Sequence, residues 1–296
     1  MIRYRPTLIF VATVIAIGLA VIFTCFDDPA GTLASNWYIT PIAIIAAAFA
    51  NATAVGGGFL FVPVFVFGVG LSATTALKLS LATQAFGMTS GAIGWSRSYL
   101  VMPALLQSVV AGGIGMWLGT FVWVPENHLI KFAFAVVSIF IGIAVILEIQ
   151  FGNRSHGERI ENASVPQTGF YLLLCLLGGL VTAWVSIGIG EVVALYLLFV
   201  YRLRIESAIA TGVAALAACS VIGLAMHGWI GGIPWTYVAF TVPGVIIGGR
   251  YGARLGRWVE SNVFQKARDS NGSPLKWTFA IVVLLDGVVM LWNVLR

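Results

Sequence analysis

Charge is what this 296-residue sequence lacks. Asp, Glu, Lys and Arg make up 9% of it, against about 25% in a soluble domain. So few charges cannot cover a protein surface in water, and a hydrophobic content of 59% places the chain in a bilayer. Cysteine is scarce as well. Cys25, Cys175 and Cys219 lie in or at the end of apolar runs with no CxxC spacing, which excludes a disulfide framework. His128, His156 and His227 stand isolated, so no metal site is expected, and no cofactor. The nucleotide motif GxxxxGK[ST] is missing, which argues against an ATP-driven pump. HExxH and GxSxG are missing too, so an enzyme is not expected. The net charge of +5 does not speak for nucleic acid, because the cations sit between apolar segments.

What the sequence has is long apolar runs. A hydrocarbon core of about 30 Å needs about 20 helical residues. Full-length candidates are 8–26, 37–55, 73–95, 100–123, 129–149, 168–188, 206–228, 235–256 and 276–295. The first follows Arg3 and Arg5 but is long for a signal peptide and lacks a small-x-small cleavage pattern, so it reads as a retained helix. Two shorter apolar pieces, 59–70 and 191–201, each follow a glycine cluster and either span or re-enter. With the N-terminus inside, Arg97, Arg154, Arg159, Arg202, Arg204 and the stretch from Arg254 to Lys276 all fall inside. The outer loops, at Asp27-Asp28, 71–72, 125–127 and 229–234, carry almost no cations. The positive-inside rule therefore predicts N-in and C-out.

An internal repeat follows from sliding the sequence by 132 residues, which pairs Gly56 with Gly188, Gly58 with Gly190, Ala76 with Ala208 and Gly91 with Gly223. After short insertions Gly115 and Gly119 meet Gly248 and Gly252, and Gly142 meets Gly287. The expected fold is an all-α membrane protein of two five-element repeats plus an extra N-terminal helix. Each repeat has a short re-entrant or broken helix after its Gly cluster. An odd number of elements inverts the second repeat. The expected divisions are 1–36 (N-terminal helix and outside loop), 37–150 (first repeat), 151–167 (cytoplasmic loop) and 168–296 (inverted repeat). Inverted repeats with interrupted helices imply a secondary transporter whose site lies at the repeat interface near the midplane.

The run Asn51-Ala-Thr-Ala-Val-Gly-Gly-Gly-Phe-Leu-Phe-Val-Pro63, followed by Ala76-Leu-Lys-Leu-Ser-Leu-Ala-Thr83, resembles the signature of the sulfite exporter TauE/SafE family. Gly188-Ile-Gly-Glu-Val192, Ala208-Ile-Ala-Thr-Gly-Val213 and the run from Pro243 to Leu255 resemble its second repeat. The likeness covers roughly 37–296. It implies a multi-pass protein of a bacterial cytoplasmic membrane moving sulfite, sulfoacetate or a related sulfur-containing anion without ATP. Export coupled to the proton gradient is the leading expectation, and an uncoupled small-anion channel or uniporter is the alternative. A homodimer stays open as the assembly.

The short legs start at the glycine clusters, so their positive dipole ends and free N–H groups point at the midplane, as oxyanion binding requires. Gly56, Gly57, Gly58, Gly188 and Gly190 are therefore candidate substrate contacts, or else small residues for tight packing. Asn51, Thr53, Ser80, Gln84, Ser186 and Thr211 offer amide and hydroxyl donors near the two tips, though each could serve its own helix. Thr83 and Thr182 offer hydroxyls there too. Lys78 attracts a divalent anion, pairs with an acid, or snorkels to the interface. Glu191 is the carboxylate expected to lie deep, either as the proton-coupling group or as the cap of its own half-helix.

Overall fold

A computed structural model describes residues 5–53, 57–95, 99–151, 165–259 and 274–295. Arg3, Gly56, Arg97, Arg154, Arg159 and most of the polar stretch 262–274 lie outside the described residues. Helices α1 (Arg5–Cys25), α2 (Pro29–Asn36), α3 (Ile39–Thr53), α4 (Gly58–Pro63), α5 (Ala73–Gly94) and α6 (Met102–Trp117) come first. They are followed by α7 (Asn127–Phe151), α8 (Val165–Val185), α9 (Ile189–Phe199), α10 (Ile205–Ile230), α11 (Trp235–Val259) and α12 (Pro274–Leu295). Among the described residues the ordered elements are all helical. The reason is the solvent: in hydrocarbon a helix satisfies its own backbone, and an open strand edge cannot.

Local chemistry sets several boundaries. Asp28 accepts from Gly31 N–H at 2.9 Å, with Pro29 in the first turn, and starts α2. Ser72 caps α5 by accepting from Thr75 N–H at 3.2 Å. Pro63 has no N–H to give, and past it the chain widens into a π-helical turn, Val64–Gly68, closed by Val69 N–H on Val64 O at 3.1 Å. A second π turn, Leu118–Val122, ends α6.

Five of the described helices are long and apolar enough to cross a membrane, or six if α2 and α3, bent by 51°, count as one span. The sequence expectation of full-length spans is therefore met only in part by composition. α5 and α11 have the length, at 22 and 25 residues, but are more polar. α5 is packed between α10 and α11, and Ser80, Thr83 and Gln84 are buried there against protein. The two shorter apolar pieces are helical, as Gly58–Gly68 and Ile189–Phe199.

α5 packs on α10 and α11, α3 on α11, α6 on α8 and α10, and α7 on α12. Close approach along α11 is made by Gly244, Gly248 and Gly252, where an added Cβ would lie 2.5, 2.2 and 2.2 Å from the Thr40, Ile44 and Ala48 carbonyls of α3. Gly115 and Gly179 do the same between α6 and α8, with such a Cβ 1.9 Å from Leu176 O and 2.0 Å from Gly112 O. These contacts are small-residue packing of the kind that brings membrane helices together.

Candidate functional site where the two helix breaks meet

The two breaks touch. A Cβ placed on Gly58, the first residue of α4, would lie 2.7 Å from the Ser186 carbonyl oxygen and 3.0 Å from Ile187 Cγ1. Ser186 follows α8 directly and adopts φ 63, and Gly188 before α9 adopts φ 138. A serine rarely takes positive φ, so surrounding bonds must hold it there.

Gln84, in the middle of α5, supplies those bonds. Its Nε2 donates to Ser186 O at 2.8 Å, to Ser186 Oγ at 2.9 Å and to Ser80 Oγ at 3.4 Å. Its Oε1 accepts from Ser220 Oγ of α10 at 3.3 Å. A Cβ on Gly57 would stand 3.7 Å from Gln84 Cγ, so the same side chain borders the first break too. Ser80, Gln84, Ser186 and Ser220 are all buried. Neutral donors held by three different elements thus converge at the breaks.

The start of α9 differs from the sequence expectation of free amide donors. Gly188 N–H donates to Glu191 Oε2 at 2.9 Å, and Ile189 N–H donates to Thr182 Oγ1 at 2.9 Å. Thr182 in turn bonds Gly178 O at 2.7 Å. The buried carboxylate of Glu191 therefore caps its own half-helix, where an acid is favoured by the helix dipole. A carboxylate and a hydroxyl at hand satisfy these two amides before any ligand arrives.

The remaining sequence candidates fall into separate places. Gly190 packs on α10, with a Cβ there 3.1 Å from Leu216 Cβ. Thr211 Oγ1 accepts from Val101 N–H at 3.1 Å, ahead of α6. Asn51 Nδ2 bonds Ala47 O at 2.9 Å, and its backbone carbonyl accepts from Trp95 Nε1 at 3.2 Å. Thr53 is the last residue of α3. Lys78 is not part of the cluster: its Nζ donates to Gly231 O at 2.8 Å in the turn after α10. Thr83 bonds Thr241 Oγ1 of α11 at 2.9 Å. Ser220 was not singled out by sequence reasoning, because one serine in the small-residue run of α10 belongs to no motif. Among the described residues no group of three or more His, Cys, Asp or Glu is placed to hold a metal.

The profile of a family described as "Sulfite exporter TauE/SafE" matches residues 39–290. No curated protein and no solved structure matches the chain.

Proposed function

The chain belongs to the sulfite exporter TauE/SafE family, and on that premise we propose that it exports a small sulfur-containing anion, sulfite or an organosulfonate such as sulfoacetate, across a bacterial cytoplasmic membrane. The observation that carries the site assignment is the single side chain, Gln84, that borders both helix breaks. A sulfite or sulfonate group presents several oxygens, and neutral N–H and O–H donors that bond one another at the breaks can exchange onto it and replace its water without a neighbouring cation. Ser80, Gln84 and Ser186 are the polar contacts of this reading, with Gly57, Gly58 and Gly188 keeping the backbone close.

Alternation between the two sides follows from two inverted halves, 37–150 and 168–296, that rock about the site. The packing supports this arrangement. Exchanging the halves turns the α3–α11 contact into the α8–α6 contact, and the α5–α11 contact into the α10–α6 contact. The α5–α10 and α7–α12 pairs map onto themselves. The N-terminus inside and the C-terminus outside complete the topology, from the distribution of Arg and Lys.

Glu191 is the proton-coupling group in this reading, since a buried carboxylate beside an anion path is costly unless it is protonated in part of the cycle. An uncoupled uniporter has one observation in its favour: the Glu191 carboxylate is already engaged as a cap. Flux of radiolabelled sulfite and sulfoacetate in proteoliposomes, with and without an imposed pH gradient, separates the two. Accumulation against concentration supports coupling, and flux that only equilibrates supports the uniporter. No flux of either anion would sink the substrate assignment.

A further inference from the structure

Away from the breaks, at the end of the bundle where α5 begins and α10 finishes, a buried imidazole and a lysine share one turn. His227, in the last turn of α10, is only 7% exposed. Neither Nδ1 nor Nε2 of its ring has a hydrogen-bond partner among the described residues. A buried polar group left unpaired costs free energy comparable to a lost hydrogen bond, so such a ring calls for a partner.

Lys78 shares that end. Its part-buried ammonium bonds Gly231 O at 2.8 Å, and Gly231 N–H bonds His227 O at 2.8 Å, so one turn ties the two residues together. Gly231 and Gly232 take φ 84 and 79, which favours glycine, and a Cβ on Gly232 would lie 3.0 Å from Lys78 Nζ. Among the described residues no carboxylate is paired with Lys78. The ammonium keeps donors to spare after the Gly231 bond. A cation within a span and without a counter-charge is expensive.

We propose that Lys78, the His227 ring and the Gly231–Gly232 turn form a second oxyanion site, distinct from the one at the breaks. An anion there takes hydrogen bonds from the ammonium and from a ring N–H, and so neutralises the charge and occupies the buried imidazole. Glu191, at the breaks, starts a helix that packs on Leu216, and Leu216 lies three turns along α10 from His227, roughly 16 Å away. On α5 the second site lies roughly 9 Å before Gln84 along the axis. The anion would meet it between the membrane surface and the breaks. The proposal rests on the transport reading only for the class of ligand, a compact sulfite or sulfonate.

His227 is one of three histidines, so replacing His128 and His156 with Gln leaves a single imidazole to observe. In the full-length protein with 15N-labelled histidine, sulfite and methanesulfonate are titrated at one fixed pH while the ring nitrogens are followed by NMR. The expected result is a saturable change in the His227 signals. With Lys78→Gln the half-saturating concentration rises about tenfold or more, the worth of a charge-assisted hydrogen bond. Lys78→Arg, which keeps the cation, recovers part of that loss. Gln84→Leu leaves the His227 titration in place, so a failure of the site at the breaks and a failure of this one are read separately. Ring signals that stay still at anion concentrations that saturate flux would overturn the proposal. So would a Lys78→Gln titration identical to the parent, and the unsubstituted Lys78 background decides even if that variant does not fold.

Discussion

The Gln84 amide donates to both oxygens of Ser186, at 2.8 Å to the carbonyl and 2.9 Å to the hydroxyl, and so ties the middle of α5 to the break between α8 and α9. The bond holds Ser186 at its positive φ and sets the donors of the site. Whatever moves α5 relative to α8 must break or carry this link.

Gln84→Leu keeps the shape but removes both functions of the amide. Sulfite flux in proteoliposomes should fall about tenfold or more, the loss expected when hydrogen bonds to a bound anion disappear. Stability should fall by about 1–3 kcal/mol, because the oxygens of Ser186 and Ser220 lose a buried partner. Unaltered flux in a folded variant would remove Gln84 from the site.

Gly188→Ala places a Cβ 2.8 Å from the Gly178 carbonyl at φ 138, a conformation an L-residue rarely adopts. The expected cost is about 1–3 kcal/mol, read as a lower unfolding midpoint in detergent. Gly169→Ala, in α8 with nothing near its Cβ, is the control and should leave the midpoint close to that of the parent.

Glu191→Gln separates the two roles of this residue. Glutamine retains an oxygen that can accept from Gly188 N–H, so the cap survives. If Glu191 carries the proton, uptake driven by a pH gradient disappears while downhill flux remains. If it only caps α9, Glu191→Gln leaves flux and its response to a pH gradient as in the parent, and Glu191→Ala loses about 1 kcal/mol of stability.

Topology can be read by labelling with an impermeant maleimide in a Cys25→Ser background, since Cys175 and Cys219 are buried. Trp229→Cys, at a position 90% exposed beyond the middle of α10, should react from outside. Arg204→Cys, at the other end of α10, should react only after the membrane is opened. The reverse pattern would invert the proposed orientation.

Much of this was legible along the chain. The apolar runs became helices, and the glycine clusters before Phe59 and Glu191 mark real interruptions, because Gly57, Gly58 and Gly188 stand at helix starts. The bend between α2 and α3 was less legible: the run from Trp37 reads as one apolar span, and the chain turns by 51° just before it. The span of α5 was legible, and its polar character reflects its place against α10 and α11, since a helix buried against protein need not be apolar enough to face lipid.

By itself the sequence determined that the chain is a membrane protein, where most of its helices lie and where two glycine clusters interrupt them. Each of those properties depends on neighbours in the chain: backbone hydrogen bonds close within a helix, and glycine or proline interrupts them locally. Only the tertiary structure decided which polar groups meet. Gln84 found Ser186 and Ser220, whereas Lys78 found Gly231 and Thr211 found Val101. Those pairings depend on the rotation and depth of each helix against the others, and a helix that is apolar nearly all round carries no stripe to announce either.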